Sequence, residues 1–255
     1  MTATLAAEWL KLRSVRSTWV IIAVVGGVVL VTTLAAWNGV TSWESATTAE
    51  GRIRWETARP VERITFPFTQ LCLGTLGVLA VTAEYSTGMI RSTFVAVPRR
   101  GTVLAAKAGA VGGATFAAGV AAVTAMHLTA RWIIGDRPFE PYADPVAESV
   151  GPLLAMGLSA AVVALVGVGL GFILRSTAGA LVTVAALVFV VPTIAGFLPD
   201  PWNERIGAVQ LPQLSAQVAG ASDPVLSPPV ALIVLAGYAA TALGTAAAAI
   251  SRSDP

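Results

Sequence analysis

Six apolar segments, each close to twenty residues long, dominate this sequence of 255 residues. An α-helix rises about 1.5 Å per residue, so about twenty residues cross the roughly 30 Å hydrocarbon core of a bilayer. Only 12% of the residues are charged, whereas a soluble domain carries about 25%. The sequence therefore predicts an all-α integral membrane protein with six transmembrane helices, at about 18–37, 64–83, 108–130, 152–174, 178–198 and 229–250.

A removable signal peptide is the alternative interpretation of the first span. The apolar part of a signal peptide is shorter than this span, and here seventeen residues with their own pattern precede it. We therefore expect the first span to be retained and the chain to form one transmembrane domain over residues 1–255. Only Arg175, Ser176 and Thr177 separate the fourth and fifth predicted spans, which predicts a helical hairpin there.

Basic residues between the spans predict how the chain is oriented. With an inner N-terminus, the inner segments carry nine Lys and Arg and the outer segments carry seven Arg. Lys and Arg are enriched in cytoplasmic segments, and the segment between spans two and three holds Arg91, Arg99, Arg100 and Lys107. We expect both termini to lie in the cytoplasm, and an arginine- and alanine-rich composition points to a bacterial cell membrane. The inner acids are Glu8, Glu84 and Asp254.

Several function classes are disfavoured by what the sequence lacks. No Asp, Glu, Lys or Arg lies in the middle of a predicted span, where ion-driven transporters usually need one. The sole histidine, His127, is expected to be packed or interfacial, and the sole cysteine, Cys72, a small buried hydrophobe. One cysteine excludes an internal disulfide or a multi-cysteine metal site. A net charge of +2 without a dense basic tract argues against a nucleic-acid partner.

Enzyme signatures are missing as well. There is no Gly-x-x-x-x-Gly-Lys-Ser/Thr motif for ATP and no His-Glu-x-x-His motif for zinc, since the chain has one histidine. No carboxylate pair lies within a predicted span. We therefore expect no catalytic residue, cofactor or metal in this chain.

The residues before the first span have helical periodicity. This pattern predicts an amphipathic helix on the inner leaflet with basic side chains toward anionic headgroups, capped by Thr2 or Thr4. An ordinary basic flank of a membrane anchor is the alternative. The apolar stripe consists of Leu5, Trp9, Leu12, Val15 and Trp19, and the polar residues are Glu8, Lys11, Arg13, Ser14 and Arg16.

A second short helix is predicted between spans two and three. Ile90, Phe94 and Val97 are spaced i, i+4, i+7, so they share one face. Pro98 ends the helix, Arg99 and Arg100 are expected to anchor at headgroups, and Thr102 to cap the third span. An exposed apolar face of this kind suits docking into a partner's groove. The alternative is that the helix only lies on lipid.

These two elements resemble parts of the permease subunits of type-2 ABC exporters. The matching stretches are AEWLKLRSVRSTW at 7–19 and AEYSTGMIRSTFVAVPRR at 83–100. The family's six-span permeases begin with an amphipathic interface helix and carry an acidic residue at the end of span two, followed by a coupling helix with Gly and Arg. The implied coupling residues are Glu84, Gly88, Ile90, Arg91, Phe94, Arg99 and Arg100. The implied interface-helix residues are Glu8, Trp9, Lys11, Leu12 and Arg13.

The resemblance implies an ATP-driven exporter built from two permease copies, identical or different, and two ATP-binding-cassette ATPase subunits that hold ATP and Mg²⁺. Glu84 would pair with a nearby Arg or helix end and keep the joint rigid. Apolar spans favour a hydrophobic or amphiphilic cargo such as a drug, antibiotic, lipid or peptide. The alternatives are a self-contained secondary transporter or channel, and a non-transporting immunity or sensory component. The family also has re-entrant outer helices before the last span, for which 199–228 is long enough; a plain outer loop is the other interpretation.

Overall fold

The computed structural model describes residues 2–220 and 225–252. Within these ranges the chain is helical and contains no strand. Asp254 and positions 221–224 of the 199–228 segment lie outside the described residues. The helices are α1 (Thr2–Ser14), α2 (Arg16–Ser45), α3 (Ala49–Glu56), α4 (Val61–Ser86), α5 (Met89–Ala96), α6 (Arg100–Ile134), α7 (Val146–Leu174), α8 (Thr177–Ala185), α9 (Val191–Gly196), α10 (Trp202–Ala208), α11 (Leu211–Val218) and α12 (Pro228–Arg252).

Six of the described helical segments are long and apolar enough to cross a membrane. They are α2, α4, α6, α7, the continuous segment Thr177–Gly196 and α12. Each coincides with one predicted span, so the predicted architecture of a multi-pass membrane protein is confirmed. Several helices extend well past the predicted limits, and α6 begins eight residues before position 108. The apolar runs therefore locate the spans but understate their length.

The bundle has two ends, which we name from the chain termini. The basal end carries α1, α5 and the last residues of α12, and the distal end carries α3, α10 and a short 3₁₀ turn at Glu140–Tyr142. Because the spans alternate in direction, α4 runs from the distal to the basal end and α6 runs back. Helices α1, α4, α5 and α6 meet at the basal end.

Helices α4 and α7 form the centre of the bundle, and glycines let their backbones touch. A Cβ on Gly77 would lie 2.0 Å from the backbone oxygen of Ala164, and one on Gly167 would lie 2.5 Å from that of Gly74. No side chain fits at these distances, so close packing in a membrane depends on small residues here. Gly171 likewise abuts Val81, whereas nothing lies within 4 Å of a Cβ on Gly113.

The connection between the fourth and fifth spans is the predicted tight turn. Helix α7 ends at Leu174, Arg175 adopts the left-handed conformation with φ 50°, and the Ser176 hydroxyl accepts a hydrogen bond from the Gly179 backbone N–H at 3.3 Å. The predicted helical hairpin is therefore confirmed. The fifth span contains one π-helical turn at Ala186–Val190.

The described part of the 199–228 segment is helical and packs into the bundle. Leu211 and Leu214 of α11 are buried in the core cluster that includes α7 and α12 residues. The backbone oxygen of Leu211 also reaches Ser159, which lies thirteen residues inside α7. This depth fits a half-buried helical hairpin formed by α10 and α11, and it does not fit a plain outer loop.

Candidate functional site

Helix α5 forms immediately after α4 because Gly88 reverses the chain. Gly88 has φ 71°, a conformation that glycine adopts without strain. The helix ends at Ala96, before Pro98, as predicted. Ile90 is buried in the bundle core and Phe94 packs against the same cluster. The prediction that the Ile90–Phe94–Val97 face is exposed is therefore wrong for Ile90, while Phe94 and Val97 are half-buried.

The residues that α5 leaves exposed differ from those expected. The Val95 side chain is 82% exposed and Met89 is 45% exposed, and Arg91 is also exposed. Two residues before α5 and three after it are too few to hold the helix away from the bundle. Arg91 and Val95 lie on the outward side of α5, whereas Met89 lies toward α1 and α2. Any partner that binds the outward side of α5 would contact Arg91 and Val95.

The start of α6 is tied to the end of α12. Arg100 is the first residue of α6, so Thr102 lies inside the helix and does not cap it as predicted. The Arg100 guanidinium donates from Nη1 to the Ile250 backbone oxygen at 2.8 Å, and its Cζ lies 5.4 Å from the Phe94 ring centre. Arg100 thus joins three helices, in place of the expected headgroup anchor, while Arg99 is exposed.

Four charged side chains from α1, α4 and α6 meet at the basal end, and we call them the basal cluster. Lys107 Nζ donates to Glu8 Oε2 at 2.5 Å, to Glu84 Oε1 at 2.9 Å and to the Ala80 backbone oxygen at 2.9 Å. Lys11 Nζ donates to Glu8 Oε1 at 2.7 Å and to Glu84 Oε1 at 2.8 Å. Two carboxylates and two ammonium groups balance one another, so the cluster is formally neutral.

Burial differs within the basal cluster. Lys107 is 2% exposed, and Glu8 and Glu84 are 4% and 3% exposed. An unpaired buried charge is costly, so each of these groups depends on its partners. The Lys11 side chain is 32% exposed and reaches the solvent side of the cluster. Glu84 also borders a cavity of about 90 Å³ that separates the cluster from α2.

Helix α1 turns both charged residues and part of its apolar stripe toward the bundle. Glu8 is buried, whereas Leu5 and Trp9 are 43% and 46% exposed. The prediction that basic side chains of α1 turn toward headgroups is wrong for Lys11, which binds both carboxylates of the basal cluster. The predicted apolar stripe is divided, since Trp9 is exposed and Leu12 packs against the bundle.

The remaining predicted interface residues lie around this contact. Leu12 packs against the core cluster near Ile21, and Arg13 is exposed. The Arg13 backbone oxygen accepts a hydrogen bond from Trp19 Nε1 at 3.0 Å across the break between α1 and α2. This bond fixes the angle at which α1 leaves the first span.

The pKa values of the two α1 charges show that the cluster favours their ionised forms. Burial alone would raise the pKa of Glu8, but the charge and hydrogen bonds of Lys107 and Lys11 outweigh it and hold the pKa below the usual range. Burial would lower the pKa of Lys11, but its hydrogen bonds to Glu8 and Glu84 raise it overall. The α1 side chains therefore stay charged over the physiological pH range.

Lys107 is the residue whose role the sequence analysis missed. The predicted third span begins at 108, which places Lys107 in the preceding loop. In the structure it lies seven residues inside α6. No charged residue occupies the middle of a described span, as predicted, yet Lys107 is fully buried about 10 Å from the helix start. The spacing of Glu84 and Lys107 in the sequence does not predict their ion pair. The two residues meet only because α5 folds back between α4 and α6.

A second group of buried polar side chains, the distal triad, lies at the other end of α4. Glu62 Oε1 is 2.8 Å from His127 Nδ1, and Glu62 Oε2 accepts from the Tyr142 hydroxyl at 2.7 Å. The Tyr142 oxygen in turn accepts from the Val61 backbone N–H at 3.0 Å. Burial and the Glu62 charge raise the pKa of Tyr142, so it remains a donor. The expected packed histidine is confirmed, with His127 3% exposed.

A third polar contact lies deeper in the bundle. Gln70 Nε2 donates to Ser159 Oγ at 2.9 Å, and Ser159 Oγ donates to the Leu211 backbone oxygen at 3.0 Å. Gln70 and Ser159 are both fully buried. These bonds hold the α10–α11 hairpin against α4 and α7. No sequence pattern predicts these bonds, since single Gln and Ser residues in apolar runs are common.

No protein-family model and no curated protein sequence matches this chain. The resemblance to type-2 ABC exporter permeases therefore rests on the two motifs and on the arrangement of helices described above. Among the described residues there is no group of three or more His, Cys, Asp and Glu side chains placed to hold a metal ion.

Proposed function

We propose that this chain is the permease subunit of an ATP-driven type-2 ABC exporter, with α1 as its interface helix and α5 as its coupling helix. The observation that carries the proposal is the basal cluster. Lys107 of α6 binds Glu8 of α1 and Glu84 of α4 at the same time. A helix that lay on lipid only as a membrane anchor would have no need for a buried, charge-balanced attachment to two spans.

The geometry of α5 supports a coupling role. Two residues separate α4 from α5 and three separate α5 from α6, and α5 packs into the core through Ile90. A displacement of α5 would therefore act directly on both spans. Because α4 contacts α7 backbone to backbone at Gly77, the displacement would continue into the centre of the bundle. An ATPase subunit that closes on ATP supplies such a displacement.

The proposed partner surface is the outward side of α5, formed by Arg91 and Val95. An exposed apolar side chain beside a cation suits a groove with apolar walls and an acidic rim. ATP and Mg²⁺ would be held by the ATPase subunit, and this chain would carry no cofactor. In this assignment the basal end is cytoplasmic, and both termini lie inside a bacterial cell membrane.

A second permease copy and the cargo are further parts of the proposal. In the most apolar part of α2, of the fifth span and of α12, only 22%, 22% and 17% of residues are buried within the chain. These faces offer apolar surface for lipid and for a second copy, identical or different. Spans without central charges favour a hydrophobic or amphiphilic cargo such as a drug, antibiotic, lipid or peptide.

Two other functions are distinguished by their partners. A self-contained secondary transporter or channel is favoured by one observation, the buried pair of Glu62 and His127, which resembles the intramembrane groups that carry protons. It would need no ATPase. A non-transporting immunity or sensory component would bind an ATPase and move nothing.

The proposal is tested by purifying the tagged chain from its native membranes in a gentle detergent and identifying co-purified P-loop ATPases. We expect one ATPase subunit, together with ATP hydrolysis by the complex. The change Val95→Asp places a charge on the exposed side of α5 and should abolish capture. Phe94→Asp should also abolish it, but through misfolding of the α5 contact as well.

Thr47→Asp is the control, because it adds the same charge to an exposed position at the distal end, away from α5. It should leave capture unchanged. If no ATPase appears while the chain remains folded and dimeric, the exporter assignment is wrong, and ion-driven flux becomes the next measurement. If an ATPase binds but the reconstituted complex moves none of a panel of amphiphiles, the non-transporting alternative is favoured.

A further inference from the structure

The cavity of about 90 Å³ at the basal end lies between the basal cluster and α2. Residues of α1, α2, α4 and α6 line it, and most of them are apolar, among them Ile21, Leu76 and Val111. The polar residues in the described lining are the four of the basal cluster together with Ser17 and Thr18 of α2. The cavity is therefore an apolar space with a charged group of residues on one side.

One carboxylate oxygen in this lining has no donor in the part of the chain that the structure describes. Glu84 is 3% exposed, and both ammonium groups of the basal cluster donate to its Oε1. Its Oε2 is buried and accepts no hydrogen bond from a described residue. The three N–H groups of Lys107 are already used within the cluster and at the Ala80 backbone oxygen. A buried acceptor without a donor is costly, so Oε2 favours a ligand that supplies one.

The charges around the cavity determine what kind of donor fits. The two carboxylates and two ammonium groups of the basal cluster make it formally neutral. A cationic ligand would leave a net positive charge in a mostly apolar space, which is costly. An anionic ligand would be repelled by the Glu84 oxygen. A neutral hydroxyl supplies the missing hydrogen bond and adds no charge.

The size and the walls of the cavity determine the rest of the ligand. An apolar cavity of about 150 Å³ holds benzene, so about 90 Å³ suits four or five non-hydrogen atoms. Several water molecules would lack partners beside Ile21, Leu76 and Val111, because a buried water needs about two to four polar partners. An alkyl chain fills this space through apolar contacts. Val15 and Met89, each 45% exposed, line the side that a ligand would enter.

We propose that this cavity binds a small neutral amphiphile whose hydroxyl donates to Glu84 Oε2 and whose alkyl part lies against Ile21, Leu76 and Val111. The bound molecule would fill the space between α2 and the basal cluster and would satisfy the remaining oxygen of Glu84. It would therefore stabilise the attachment of α1 to α4 and α6. The inference does not depend on the proposed export function.

The test measures how a ligand protects a thiol in the cavity lining. Ser17→Cys, in a chain carrying Cys72→Ala, places one thiol at the cavity with little change in side-chain size. In membranes that hold the full-length chain, 1-butanol should slow the reaction of this thiol with a small methanethiosulfonate. Methyl propyl ether is an isomer of butanol without an O–H donor. It should need about tenfold higher concentration, corrected for partitioning into lipid, because it lacks the hydrogen bond to a charged group.

Two matched pairs of variants control this measurement. Ser14→Cys places the same thiol at an exposed position on α1 outside the cavity lining, and butanol should leave its reaction rate unchanged. Ala110→Leu adds a larger side chain to the cavity from α6 and should remove the protection of Ser17→Cys. Ala105→Leu adds the same side chain on the exposed side of α6 and should keep the protection.

Each contrary outcome overturns a stated part of the proposal. Equal protection by butanol and the ether would show apolar filling without recognition by Glu84. Stronger protection by butylammonium would show that the site takes a cation and not a neutral donor. No protection at the highest butanol concentration that leaves the Ser14→Cys rate unchanged would show that the cavity is not a ligand site. The comparison of ligands leaves the basal cluster intact, so misfolding does not obscure it.

Discussion

Helix α4 carries a buried glutamate near each end, and the two sites are satisfied by different chemistry. At the basal end, Glu84 binds the ammonium groups of Lys107 and Lys11. At the distal end, Glu62 binds a histidine ring and the Tyr142 hydroxyl. The basal carboxylate thus has two permanent cations as partners. The distal carboxylate has one neutral donor and one partner whose charge depends on its protonation.

In the proposed function this difference gives the two ends different roles. The basal cluster links three helices through ion pairs, so it suits a mechanical joint between α1, α4 and α6. The distal triad joins α4 and α6 to the 3₁₀ turn at Glu140–Tyr142, which lies at the distal end of the bundle. Substitutions in either site should show how much that site stabilises the fold. They should also show whether only the basal cluster affects binding of the proposed ATPase subunit.

The largest expected effect is at Lys107. Lys107→Met removes the buried cation and leaves Glu8 and Glu84 with Lys11 alone, which should destabilise the chain by about 3–5 kcal/mol. Unfolding can be followed in detergent with a thiol-reactive dye, because Cys72 is the only cysteine and is partly buried.

A double variant sharpens that prediction. Glu84→Gln combined with Lys107→Met removes one charge of each sign, so it should be less destabilised than Lys107→Met alone. Equal or greater destabilisation of the double variant would mean that the cluster acts through packing and not through charge balance.

An intermediate effect is expected at the distal triad. Tyr142→Phe removes the hydroxyl that donates to Glu62 and accepts from the Val61 N–H, which should cost about 1–3 kcal/mol. Tyr238→Phe is the matched control, since its hydroxyl makes one hydrogen bond, to the Val209 oxygen, at a more exposed site. The control should cost less than Tyr142→Phe in the same thiol-reactivity melt. ATPase capture should be normal for both, and its loss in Tyr142→Phe would erase the functional distinction between the ends.

The smallest effect is expected at Lys11. Lys11→Gln removes a cation that has the same two carboxylate partners as Lys107 but a partly exposed side chain. Solvent screening limits the contribution of such a pair to about 1 kcal/mol or less. A melting shift as large as that of Lys107→Met would contradict the view that burial sets the importance of each lysine.

The sequence was sufficient for the six spans, the α7–α8 turn and the existence of α1 and α5, because each depends on a local pattern. Apolar runs of about twenty residues mark spans, and Gly88 and Pro98 delimit α5. The patterns do not predict that Glu8 and Lys11 of α1 and Ile90 of α5 face the bundle. Periodicity identifies a face but does not say whether lipid or protein covers it.

Only part of the candidate site can be predicted from the sequence, for a related reason. Glu84 was singled out from its place at the end of a span, but its partners come from positions 73 and 23 residues away. Glu62 lies just before position 64, where the second span is predicted to begin, so the predicted limits place it outside the spans. Long-range pairing of this kind depends on how the helices pack, and a single sequence does not specify it.

The most direct test measures whether the basal cluster holds α1 against α6. A Cβ placed on Gly109 would lie 3.5 Å from Leu5 Cδ1, so cysteines at these positions, in a chain carrying Cys72→Ala, should be joined by a short bifunctional thiol reagent in native membranes. We predict efficient cross-linking in this background and a marked loss when Lys107→Met is added. Undiminished cross-linking with Lys107→Met would contradict the claim that these charges attach the interface helix to the spans.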